Sequence, residues 1–262
     1  MRKANIVSAL FLAAWAISFS ASAIADEEPL ATDRPDFVES SNVVGKGRYQ
    51  IETGVALERD KVEGGDVRTF TTPTLVRIGV SEVLELRVET DGYTRANNSV
   101  ADERVTGVSD VALGAKWHFA DGGGSAPAMA MLVHVDVDSG SEEFRGDGLR
   151  PSLRVVAEWE LPHDMSLGIM PGFVFDKNEE HRFVSGIFAV TAGMPIADNL
   201  RMFGEVSGQT IAHAEDGGCI VTVDVGATYL INNDVQIDTA VSRGVNDNTP
   251  EWSVGAGLSI RF

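Results

Sequence analysis

From Glu251 to Phe262 the chain reads EWSVGAGLSIRF, and its alternate residues separate completely by polarity. Trp252, Val254, Ala256, Leu258, Ile260 and Phe262 form one set; Glu251, Ser253, Gly255, Gly257, Ser259 and Arg261 form the other. A period of two marks an extended strand whose two faces meet different surroundings. The same alternation recurs along almost the whole chain and restricts the fold more than any other feature. It predicts twelve strands, near 47–58, 67–79, 83–94, 107–119, 127–137, 149–160, 165–176, 182–193, 200–210, 219–230, 234–244 and 251–262.

The connections between these strands alternate in character. VSE, PHD, PIADN and INN are turn-sized, with Pro, Asn and Asp where tight turns want them. RDKVEGGD, RANNSVADER, SGSEEFRGDG, DKNEEH and AHAEDGG are longer and charged, and DGGGSA is intermediate. Short turns at one end and long loops at the other describe an up-and-down meander with periplasmic turns and extracellular loops. The strands are also about as long as the ten or so tilted residues that cross a bilayer. Aromatic residues near strand ends, among them Tyr49, Tyr93, Trp117, Phe119, Tyr229 and Phe262, suit an interfacial girdle. A soluble β-sandwich explains the alternation but neither the loop asymmetry nor the strand length. The expected fold is therefore all-β, a closed antiparallel up-and-down transmembrane barrel of about twelve strands over residues 47–262, with both termini on the periplasmic side.

The amino terminus agrees with export. Arg2 and Lys3 precede the apolar run IVSALFLAAWAISF, and Ala23-Ile24-Ala25 offers a cleavage site, so residues 1–25 read as a signal peptide that is removed. The apolar run is short for a bilayer-spanning anchor. A formal net charge of −18 argues against nucleic acid as a partner, because phosphate backbones are bound by clustered Lys and Arg. The single cysteine, Cys219, allows no intrachain disulfide. Expected partners are outer-membrane lipid and lipopolysaccharide, the barrel-assembly machinery and a small-molecule solute.

If the apolar faces touch lipid, the polar faces line the lumen. They carry Glu52, Arg77, Glu85, Arg87, Asp110, Lys116, His134, Arg154, Glu158, Glu205, Asp224 and Asp238. These side chains either form a conduit that selects solutes by size and charge, or pair across a narrow lumen and fill it. An acid excess would favour cations or neutral solutes in an open pore. Residues 26–46, ahead of the first strand, read as a periplasmic or plug segment. Asp33, Arg34, Pro35 and Asp36 stand together there, and Pro35, having no N–H, does not belong inside a sheet. Arg34 either pairs with lumen carboxylates or serves an extended lead-in at the barrel mouth.

The run TDRPDFVESSNVVGKGRYQIETGV, followed by amphipathic strands and a terminal aromatic, resembles an outer-membrane "transporter" family named for a meta-pathway of phenol degradation. The matching positions are Thr32 through Phe37, Glu39, Ser40, Lys46, Gly47, Gln50, Ile51, Glu52 and Gly54. The resemblance implies passage of small, often aromatic, molecules and supplies no binding residues. In a closed meander the last strand pairs with the first, and Phe262 at its end resembles the carboxyl-terminal aromatic by which assembly machinery recognises outer-membrane barrels.

Catalysis finds little support in the sequence. No G-x-S-x-G elbow is present, and His163-Asp164 is followed by Met165 without the Asn-Gly of an outer-membrane phospholipase stretch. His213 with Glu215 or Asp216 could form a surface protease dyad, but a loop tip lacks the burial that tunes such pairs. In DVDSGSEEFRGD, Gly140 and Ser141 break the calcium-loop order and Asp147 stands in place of the closing Glu. The expected function is passive or facilitated passage of a small organic solute, without enzyme activity, cofactor or metal. The alternatives are a closed structural or adhesive barrel with acidic surface loops and, more remotely, an outer-membrane hydrolase.

Overall fold

The computed structural model describes residues 28–177, 182–211 and 218–262; the predicted signal peptide, His181, His213, Glu215 and Asp216 lie outside them. The strands are β1 (Tyr49–Val62), β2 (Gly65–Thr71), β3 (Thr74–Gly79), β4 (Leu84–Thr90), β5 (Tyr93–Asn98), β6 (Glu103–Val108), β7 (Val111–Ala120) and β8 (Ala128–Val137). They continue as β9 (Arg150–Leu161), β10 (Met165–Lys177), β11 (Arg182–Ala197), β12 (Leu200–Ile211), β13 (Gly218–Asn232), β14 (Val235–Gly244) and β15 (Trp252–Arg261). Three pairs are single staves with a local break: β2–β3 at Thr72-Pro73, β4–β5 at Asp91-Gly92 and β6–β7 at Ser109-Asp110. Twelve antiparallel staves result. Each pairs with its sequence neighbour, and β15 pairs with β1 to close the barrel.

The breaks have a local cause. Pro73 has no N–H to give the ladder. The chain still hydrogen-bonds across this level, with Gly54 N–H donating to Pro73 O at 3.0 Å and Thr72 N–H to Asp91 O at 2.9 Å. Gly92 sits at φ +65°, and a Cβ there would lie 2.5 Å from the Thr72 carbonyl oxygen. Beyond the breaks β1, β2, β5 and β6 rise past the barrel as an extension of the sheet.

That extension corrects two predicted boundaries. RDKVEGGD and RANNSVADER are strand residues around tight turns at 63–64 and 99–102, rather than long loops. Outside the bilayer both faces of a strand meet water, so the apolar alternation disappears while the backbone ladder continues.

Polarity is inverted relative to a soluble protein. Val55, Leu86, Leu113, Trp117, Val133, Phe173, Phe188, Val206, Val225 and Val241 are exposed on the outside. Gln50, Glu52, Arg77, Glu85, Arg87, Lys116, Glu205 and Ser259 are buried within. Only a hydrocarbon solvent makes that arrangement favourable. Ladder closure leaves no backbone edge to face lipid.

Phe262 lies at the seam, half-exposed on the apolar outer face. Its N–H donates to Tyr49 O at 2.8 Å, and Tyr49 N–H donates to Phe262 O at 3.1 Å. Deleting Phe262 removes both bonds and an interfacial ring. The barrel should become about 1–3 kcal/mol less stable, read as a lower transition temperature in heat-modifiable electrophoresis; an unchanged transition would contradict this role.

Candidate functional site

Residues 30–45 run inside the barrel. Leu30 N–H donates to Asn233 O at 2.8 Å in the turn before β14, which fixes the entry point at the short-turn end. The segment climbs to Pro35–Phe37, returns through Ser40 to Val44, and joins β1. A segment in irregular conformation there has no strand to pair with, so its backbone groups must find side chains of the wall.

The wall supplies them. Asp33 and Arg34 N–H groups donate to the Glu52 carboxylate at 3.0 and 3.1 Å. Phe37 and Val38 N–H groups both donate to Glu205 at 2.8 Å. Ser41 N–H donates to Glu158, and Val44 N–H to Glu85 at 2.9 Å. Carbonyls are served by cations: Arg77 donates to Ala31 O at 2.8 Å and Asn42 O at 2.7 Å, and Lys116 to Ser40 O at 2.7 Å. The segment's own charges enter the same network. Asp33 accepts from Lys116 at 2.8 Å, from Arg87, and from Ser40 N–H at 2.8 Å, which ties the two limbs together. Glu39 pairs with Arg87 at 2.7 Å and with Arg154. Arg34 reaches Asp238 at 3.2 Å. It does so across two glycines: a Cβ on Gly54 or Gly257 would lie 2.7 or 2.5 Å from its guanidinium nitrogens.

Most predicted lumen residues are therefore brought together by the segment that the sequence left ambiguous. Glu52, Arg77, Glu85, Arg87, Lys116, Arg154, Glu158, Glu205 and Asp238 all touch it. His134 stands one step behind, accepting from Arg87 Nε at 3.1 Å. Asp224 bonds Thr222 at 3.2 Å above the segment. Asp110 is separate, at the long-loop end, where it accepts from Gly140 N–H at 2.8 Å, Gly146 N–H at 2.9 Å and Arg150 at 2.6 Å. The acidic loop 139–149 thus folds around a carboxylate.

Two features escaped sequence reasoning. Gln236 donates to Thr32 Oγ1 at 2.8 Å, and its signal was its place two residues before Asp238 on the inward face of β14. Val38 packs into a lumen-side cluster of Ala130, Leu132, Val156, Met170 and Ala189, all fully buried. The available signal was the loss of alternation in AMAMLV, where both faces of β8 are apolar.

Opposite electrostatics act on the two parts of the segment. Burial alone would raise Asp33, but Arg77, Lys116 and Arg87 outweigh it and hold its carboxyl well below the usual range. Glu39 is likewise held at about 2, against its burial, by Arg87 and Arg154. Asp36 at the tip is raised well above the ordinary value by burial and then by Glu205 and Glu158.

The segment separates cavities at the two ends. On the long-loop side, Pro35, Asp36 and Phe37 line spaces of about 250 and 480 Å³, and a further space of about 530 Å³ lies beneath loop 139–149. On the short-turn side, Ser41 and Asn42 line a space of about 610 Å³ with His118, Glu158 and Arg201.

Residues 32–262, spanning this segment and the entire barrel, match the model of the family described as "Putative MetA-pathway of phenol degradation". The chain belongs to this family. Among solved structures, the NanC porin is similar at a TM-score of 0.57 and 12% identity, covering 81% of this chain and 98% of that one. The β domain of the Bordetella autotransporter Brka is similar at a TM-score of 0.53 and 12% identity, covering 82% and 99%. At such identities the likeness is one of fold, an outer-membrane β-barrel. No curated protein matches the sequence.

Arg77 is the test of the network. Arg77→Ala leaves Glu52 and Glu85 without their shared cation and takes a donor from the Asn42 and Ala31 carbonyls, of which Ala31 keeps Gln50 at 2.9 Å. The expected cost is about 3–5 kcal/mol, read as a lower unfolding midpoint in urea for the detergent-solubilised barrel. His134→Asn, behind the network, should cost less.

Proposed function

We propose that this family member is an outer-membrane channel in which residues 30–45 form a plug, and that a small organic solute passes on the β12–β13 side of it. The carrying observation is the asymmetry of the plug's attachment. Toward β1, β3, β4, β7, β9 and β14 it is held by an array of ion pairs and hydrogen bonds. Toward β12 and β13 it meets Glu205 alone, through two N–H groups. The cavity of about 480 Å³ lies on that weaker side, lined by Pro35, Phe37, Ile220 and Pro250 together with Glu58, Glu205 and Asp224. Apolar surface with a few placed polar groups suits a small organic molecule. Phe203 lies across Gly226, one inward position below Glu205, so a solute passing Phe37 next meets a second aromatic ring. The acids favour neutral or cationic solutes over anions.

The family's name is consistent with aromatic solutes, and the porin likeness with a channel. In this reading the short turns and the plug's entry face the periplasm, Phe262 is an assembly address as well as the seam residue, and no chemical step is performed. The ionic network also suits a closed structural barrel, which conductance separates from a channel. Purified protein in planar bilayers should show small discrete steps, and deleting residues 33–41 should enlarge them several-fold. Silence in both forms would sink the channel reading.

A pH dependence follows from the tip. A carboxyl raised in the folded state stabilises the docked tip fully below its ordinary value, and that contribution is lost as pH rises through the raised one. The anchors Asp33 and Glu39, held low, contribute above their ordinary values and are lost only as pH falls, for Glu39 toward about 2. Conductance should therefore rise with pH while the plug's base stays attached, and Asp36→Asn should flatten that rise. Equal pH profiles for the two proteins would refute it.

A further inference from the structure

We infer that the outer face of β14, β15, β1, β2, β5 and β6 at the long-loop end is a binding site for the phosphorylated headgroup of lipopolysaccharide. The inference goes beyond the channel reading, because it concerns the opposite side of the wall and holds whether or not the lumen conducts.

The site is visible only through the register. Arg243 pairs with Trp252, Trp252 with Arg59, Arg59 with Arg68, Arg68 with Asn97 and Asn97 with Arg104. Directly opposed residues share a face, so these six form one row running around the barrel. Trp252 belongs to the apolar outward set of β15, which places the row outside. The next row toward the membrane, by the same pairings, is Val241, Val254, Leu57, Phe70, Arg95 and Thr106. Arg95 lies 5.7 Å over the Phe70 ring, and Phe70 neighbours Tyr93 at 6.5 Å between centroids. Cations therefore border the apolar band where a lipid headgroup meets the protein.

Charge and geometry both suit a phosphate. Two carboxylates space the cations: Asp66 accepts from Arg59 at 2.9 Å and Arg68 at 3.2 Å, and Glu251 accepts from Arg59 at 2.9 Å, Lys61 at 2.7 Å and Arg243 at 3.3 Å. On the outer face of these six strands Arg59, Lys61, Arg68, Arg95, Arg104 and Arg243 stand against Asp66 and Glu251, an excess of four positive charges, while Glu58, Asp60 and Glu103 alternate onto the opposite face. The whole chain, by contrast, carries −18. Arg68, Lys61 and Arg243 remain 60, 64 and 63% exposed at their side chains, and among the described residues each gives one donor to a carboxylate. A guanidinium or ammonium so engaged keeps donor capacity at the surface. Guanidinium groups pre-spaced by carboxylates are suited to the forked recognition of phosphate oxygens. The occupant is a membrane lipid rather than a soluble anion because the row adjoins the lipid-facing band.

The test uses full-length mature barrel refolded in detergent and fluorescent lipopolysaccharide. Binding should be saturable, weaken with salt, and fall at least about tenfold when Lys61, Arg68 and Arg243 all become Gln. Lipopolysaccharide stripped of its phosphates should bind the wild type as weakly as the intact lipid binds that variant. Inorganic phosphate at equal phosphate concentration should not compete. Lys177→Gln with Arg182→Gln, half-way round the rim on β10 and β11, should leave binding intact. Heat-modifiable migration of each variant confirms that it is folded. Equal binding by the triple variant, equal binding of the dephosphorylated lipid, an equal loss in the β10–β11 control, or full competition by inorganic phosphate would each overturn the assignment.

Discussion

A peptide segment threaded through a closed barrel has no ladder to join, and every other property of this lumen depends on that. The staves have already used their backbone donors and acceptors on one another. The N–H and C=O groups of residues 30–45 must therefore be met by side chains, and in the buried half of the lumen those must be long, polar and aimed inward. Glu52, Glu85, Glu158 and Glu205 accept the N–H groups; Arg77 and Lys116 serve the carbonyls. Each of these buried charges is expensive to desolvate alone. They are tolerable because Asp33 and Glu39 of the segment, and Arg87 and Arg154 of the wall, complete the neutralisation.

The same accounting of partners explains why the two sides of the segment differ. Cations are concentrated on β3, β4, β7 and β9, so the limbs containing Asp33 and Glu39 are fixed there. Around the tip, the charged groups that β12 and β13 offer among the described residues are carboxylates, Glu205 and Asp224, and the tip residue facing them is itself an acid, Asp36. Attraction on one side and like charge on the other make the tip the natural place for movement. The proposed conductance and its expected pH dependence both rest on that one region.

Outside the barrel the constraint is different. Lipid accepts apolar side chains and offers hydrogen bonds only at its headgroups, so charge on the outer face is placed at the rim. The net negative charge of the chain lies in the lumen and loops, and it conceals a local excess of opposite sign on the outer rim of β14 through β6. Strands that continue past the bilayer make this possible, because they keep Arg59 and Arg68 in register above the apolar band.

Alternation and connection lengths alone determined the barrel, the number of staves and which side chains face inward. These are properties of a period of two and need no long-range information. The structure places the twelve candidates inside the barrel or at its mouth, nine of them against the segment that carries the motif around Asp33. What the sequence left open was whether residues 26–46 fill the lumen, and there only tertiary structure decided. Glu205 and Phe37, 168 residues apart, meet because the barrel closes; Gly257 leaves room for Arg34, and Gly54 for both Arg34 and the Ala256 carbonyl across the seam. Strand ends beyond the bilayer were lost to the sequence because water on both faces removes the contrast that marks a strand. The cationic row was hidden for a related reason. Register between six strands is set by hydrogen bonds and turn geometry, and no single strand records which of its residues will stand beside another's.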